Sequence, residues 1–71
     1  MSLEDRVKLL NETAINEISL QYDNAVETEH GSGDHWILMG VLDKYGFRTH
    51  SPTKAIELAE EIITLWYRLQ K

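Results

Sequence analysis

No cysteine occurs among the 71 residues of the chain, which removes disulfides, zinc-finger and iron-sulfur sites and thiol nucleophiles, and fits a reducing compartment. Proline occurs once, at Pro52, and no apolar run approaches the roughly 18 residues needed to span a bilayer. No membrane association is therefore expected. The first ten residues, "MSLEDRVKLL", lack a basic segment followed by an apolar core, so a secretory signal is not expected and a cytoplasmic location is. Also missing are a GxGxxG or P-loop phosphate cradle, a serine nucleophile elbow and a His-acid pair on rigid elements. The sequence thus offers no enzyme chemistry of a known pattern.

Positive charge is the most informative scarcity. No Lys or Arg lies between Lys8 and Lys44, whereas Glu12, Glu17, Asp23, Glu27, Glu29, Asp34 and Asp43 fall within that span. From Lys44 onward the balance reverses slightly, with Lys44, Arg48, Lys54, Arg68 and Lys71 against Glu57, Glu60 and Glu61. The formal charge of −5 is thus concentrated in one half. An anionic half repels a phosphate backbone, favours a basic protein partner or a cation, and at the least keeps the protein soluble.

What is present reads as one helical domain covering residues 1–71. A chain of this length buries only about 60% of the surface its unfolded form exposes, so it is marginal by itself. With disulfides excluded, self-association is the remaining cheap source of stability. Ser2 precedes Leu3, Glu4 and Asp5 as an N-cap followed by first-turn acids. From there Leu3, Val7, Leu10, Ala14, Ile18, Tyr22 and Ala25 recur at three- and four-residue steps, predicting one long helix to about Thr28. Asn11 falls inside the apolar stripe, where a buried amide needs partners and can fix register or oligomer state. Leu9 and Leu20 fall on the opposite face.

The stretch "EHGSGDHWILMG", residues 29–40, breaks this pattern with two glycines and a serine and then enters the most apolar run of the chain. A short helix from His35 to Tyr45 is expected, with Asp34 as N-cap, Gly46 as a left-handed C′ residue and Phe47 packing back in a Schellman ending. Its apolar residues point in every direction, so the helix needs cover on all sides. The alternative is an α+β fold with residues 35–42 as a buried strand. "SPTK" opens the last helix with Ser51 as N-cap and Pro52 at the first position. Ala55, Ile56, Leu58, Ala59, Ile62, Ile63, Leu65, Trp66, Tyr67 and Leu69 cover more than half of its circumference, which makes it the expected centre of the core.

The resulting fold class is all-α, with three helices (long, short, long) packed as a homodimeric helical bundle. The expected oligomer interface is Trp36, Leu38, Met39, Leu42, Trp66 and Tyr67, and the expected contact with a different macromolecule is Leu9, Glu12, Leu20 and Asp23. The function that follows, by elimination and by excess apolar surface, is that of a small acidic regulator, inhibitor or assembly factor.

Two other readings attach to particular residues. Lys44, Arg48, His50 and Lys54 gather where a helix-turn-helix would contact bases, giving a dimeric DNA-binding regulator as the alternative. Against it, the turn "YGFRTHSP" is longer than the usual 3 to 4 residues and "AIELAEEIITLW" is too apolar and acidic for a major groove. His30, Asp34 and His35 carry ligand types suited to a divalent metal, but a Gly-Ser-Gly segment separates the histidines and no known signature has that spacing. The competing reading is a turn whose histidines are solvated. Glu57 and Glu61 share a helix face with Glu60 beside them, and on the only polar strip of that helix they read as solvated. No cofactor is expected.

Overall fold

The computed structural model describes residues 2–28 and 33–70, which form four helices and, among the described residues, no strand. They are α1 (Leu3–Lys8), α2 (Glu12–Glu27), α3 (Gly33–Lys44) and α4 (Pro52–Leu69). The all-α class holds, and the strand alternative for residues 35–42 is overturned, since that segment lies within α3.

The single long first helix is replaced by two. After α1 the amides of Leu9 and Leu10 bond to the carbonyls of Arg6 and Val7 at 3.2 and 3.1 Å, tightening the last turn into i→i+3 bonds. Asn11 then leaves the helical region at φ −102° and ψ 173°, and its Oδ1 accepts from the Ala14 amide at 2.8 Å. The amide expected to fix register is therefore an N-cap, worth about 1 kcal/mol to the helix it starts. Its place in the apolar stripe concealed this role. The stripe itself survives the break, because Val7, Ala14, Ile18 and Ala25 are all buried and Leu3, Leu10 and Tyr22 pack against the core. Breaking the chain lets α1 lie on α4 while α2 packs on both α3 and α4.

Helix α3 starts at Gly33, two residues earlier than expected, so Asp34 sits in its first turn and complements the dipole instead of capping. Its end matches the expectation closely. Gly46 has φ +87°, the Phe47 amide reaches the Leu42 carbonyl at 2.8 Å, and the Gly46 amide reaches Asp43 at 3.0 Å, which are the two bonds of a Schellman motif. Phe47, 2% exposed, folds back into the core, and the Arg6 guanidinium lies 4.7 Å from its ring centroid. This contact ties α1 to the turn after α3.

Helix α4 is the hub that touches each of the other three helices. Ser51 caps it by accepting from the Lys54 amide at 3.2 Å, with Pro52 at the first position, where its missing N–H costs nothing. Its innermost residues, Ala55, Ala59 and Ile62, are wholly buried, and the two small side chains let α2 and α3 approach closely. Helices α2 and α3 run antiparallel. His35 at the start of α3 meets Ala25 near the end of α2, and Lys44 and Tyr45 at the other end meet Glu17.

Candidate functional site

Of the histidine and acid loop, the described residues include Asp34 and His35. His30 lies outside the described residues, Asp34 is half-buried, and His35 turns inward to 1% exposure with Nε2 2.8 Å from the Ala25 carbonyl oxygen. The reading of His35 as solvated is thus corrected. Its position in α3 is one step round from Leu38 and Leu42, both 0% exposed, so the helix carries it into the core. Among the described residues no three His, Asp or Glu side chains gather as a set able to hold a metal. His35 links α2 to α3, a role hidden in the sequence because the partner is a backbone carbonyl.

The basic cluster is placed at the surface with carboxylates among it. Lys44 Nζ lies 3.2 Å from Glu17 Oε1, Arg48 Nε lies 3.2 Å from Asp43 Oδ1, and Lys54 Nζ lies 3.5 Å from Glu57 Oε2. Arg48, His50 and Lys54 do line one groove, but Glu57 and Glu61 share it. A patch so neutralised attracts phosphate weakly. Lys44 stands apart from that groove, held toward α2.

Glu17 is the acceptor of a cross-helix polar cluster that sequence reading missed. Besides Lys44, it accepts from the Tyr45 hydroxyl at 2.9 Å. The Tyr45 and Lys44 hydrogen bonds hold its carboxyl below the usual carboxylate range. In return the carboxylate raises both the Lys44 ammonium and the Tyr45 phenol above their ordinary values. No local pattern announces a contact across 27 residues. Tyr22 is also raised, mainly by burial and then by the neighbouring Glu60 and Asp23 carboxylates.

The residues expected at an oligomer interface fall into three environments. Leu38 and Leu42 are 0% exposed within the chain's own core, so they take no part in a surface. Trp66 is half-buried near Leu10 and Leu69 at the α1 end, and Tyr67 is exposed over the groove between α2 and α4. Trp36, 58% exposed, and half-buried Met39 line a groove with Gly40, Asp43, Arg48 and Thr49. Helix α3 is not covered on every side within a single chain. One chain covers only its inner face, leaving Trp36 and Ile37 half or more exposed. Neither Trp66 nor Tyr67 lines the groove beside Trp36.

Leu9, Glu12, Leu20 and Asp23 are all exposed, with Leu9 at 74% and Leu20 at 59%. Leu9 is the C-cap of α1 and Glu12 the first residue of α2, so the break falls between them. Leu20 and Asp23 lie on the outer face of α2, whose charged residues are Glu12, Glu17, Asp23 and Glu27, with no cation on the helix. Among the described residues, no helix is long and apolar enough to cross a membrane. The grooves described above are open troughs between elements. Comparison with known protein families, with curated proteins and with solved structures finds no match to this chain.

Proposed function

We propose that this protein acts by binding and not by catalysis, associating with itself and presenting its acidic α2 face to another macromolecule as a regulator, inhibitor or assembly factor. The observation that carries the reading is the apolar surface left outside a complete helical core. Leu9, Leu20, Val26, Trp36, Ile37 and Tyr67 are each about half exposed or more, although the core is already closed by Val7, Ile18, Leu38, Leu42 and Ile62 at 0%. Single exposed apolar residues are ordinary, but two tryptophan- or leucine-bearing helix faces on so small a protein exceed what solubility favours.

The partner chemistry follows from α2, whose exposed carboxylates Glu12, Asp23 and Glu27 share the helix with Leu20, the fourth, Glu17, being paired with Lys44. A basic segment with one apolar side suits that face. Light scattering coupled to size exclusion, over a range of concentration and salt, tests the self-associating part. A dimer or larger species is expected, and a monomer at every concentration would refute it. For the α2 face, a synthetic amphipathic Lys-rich helix is the probe, and salt-sensitive binding lost in Leu9→Glu with Leu20→Glu is expected. Equal binding by the double variant would remove those residues from the contact.

A further inference from the structure

We infer that the outer face of α3 is the seat of a second copy of this chain, docked antiparallel with the crossing at Gly40; this rests on the self-association proposed above. At about 100° per residue, Gly33, Trp36, Ile37, Gly40, Asp43 and Lys44 fall within about one third of the helix circumference. All six are exposed, while His35, Leu38 and Leu42 on the opposite side are buried. The overall apolar run therefore conceals two distinct faces. One is used by the fold and the other, with Trp36 at 58% and Ile37 at 50%, is not.

Gly40 sits in the middle of this outer face, and a Cβ built there meets no atom within 4 Å. Nothing inside the chain requires glycine at that point, and glycine is a poor residue for a helix interior. A notch flanked by Trp36 and Ile37 has the form of a helix crossing, in which the distance between axes is set by the side chains at the contact. The adjoining groove extends the surface past Met39 to Arg48 and Thr49.

Charge selects the occupant. Asp43 and Lys44, the charged members of the face, are already paired with Arg48 and Glu17 within the chain, so the face is close to neutral. Elsewhere two copies of a chain of charge −5 repel, most of all across α2, where Glu12, Asp23 and Glu27 have no cation on their own helix and only Glu17 is paired. A second copy is thus tolerated best at α3, whereas a basic partner is drawn to α2. Orientation follows from the same residues. Parallel docking sets Asp43 against Asp43 and Lys44 against Lys44, while antiparallel docking separates these like charges and opposes the helix dipoles.

The test is sedimentation equilibrium of the full chain from micromolar to millimolar concentration, with Ile37→Asp and, as a second probe of the same face, Trp36→Glu. Both residues are at least half exposed, so both variants should keep the wild-type helical circular dichroism. Each should raise the dimer dissociation constant by about 30-fold or more, and Leu20→Asp should not change it. Wild-type dimers that persist unchanged in both α3 variants would overturn this interface and leave self-association standing. A wild type that stays monomeric to millimolar concentration would overturn the self-association itself. Orientation is read separately from a spin label at Gly33→Cys, which is the only thiol in the chain and sits where a Cβ meets nothing within 4 Å. Label positions about 20 Å apart fit the antiparallel crossing, and about 10 Å would overturn it in favour of a parallel pair.

Discussion

Gly40→Ala and Gly46→Ala should change stability in opposite directions, although the chemical change is the same. Gly40 lies within α3 with open space where its Cβ would be, so alanine there gains helix propensity and loses backbone freedom in the unfolded chain without a clash. The gain is about 1 kcal/mol. Gly46 has φ +87°, where an L side chain is strained by about 1–2 kcal/mol, and the Arg6 Nη2 atom lies 3.5 Å from the added carbon. A domain of this size has a total stability of only about 4–10 kcal/mol, and 1 kcal/mol moves its melting temperature by about 4–8 °C. Circular-dichroism melts at low micromolar concentration should therefore show Gly40→Ala several degrees above wild type and Gly46→Ala several degrees below. Raising the concentration should shrink the gain of Gly40→Ala, because the added methyl group fills the notch through which the two copies meet. A Gly40→Ala protein that melts as low as Gly46→Ala would refute the account of both glycines.

The Glu17 cluster makes stability depend on pH at both ends. Its carboxyl has a folded value below its unfolded one, so its contribution is complete above the unfolded value, near 4.5, and is lost as pH falls through the folded value. Lys44 and Tyr45 are raised on folding, so theirs is complete below the unfolded values, near 10.5 and 10.0, and declines as pH rises through the folded ones. Urea titrations of Glu17→Gln should show a flatter acid limb than wild type, and an unchanged limb would show that the cluster does not form in solution. Leu38→Ala should cost about 2–5 kcal/mol, a large share of the total stability and so a clear loss in urea titration, because Leu38 is 0% exposed within one chain. A folded variant with only weakened association would instead return Leu38 to the interface. Asn11→Ala should cost about 1 kcal/mol in urea titration and Asn11→Asp much less, since the cap needs only a side-chain oxygen for the Ala14 amide. Equal losses from the two substitutions would argue against the cap.

The sequence by itself determined what rests on near neighbours along the chain. The caps at Ser2 and Ser51, Pro52 at the start of α4, and the Gly46-Phe47 ending of α3 were legible because each depends on residues within about six positions. So was the stripe from Leu3 to Ala25, since periodicity shows which side of a helix must leave water even when the helix is interrupted. Asn11 marks the edge of that legibility. Its residue type favours a cap, but its phase within an apolar stripe pointed the other way, and only the docking of α1 on α4 decided for the break.

Tertiary structure alone decided which apolar residues became core and which were left over. In α3 apolar residues stand on all sides of the axis, so nothing local separates Leu38 and Leu42 from Trp36 and Ile37; the separation comes from where α2 and α4 lie. The same holds for His35 on the Ala25 carbonyl and for Glu17 between Lys44 and Tyr45, contacts made by elements brought together only after folding. Local preferences set where helices begin and end because capping and periodicity act over one or two turns. Burial is a property of the assembled helices, and so the surface that remains for a partner is read only once they have packed.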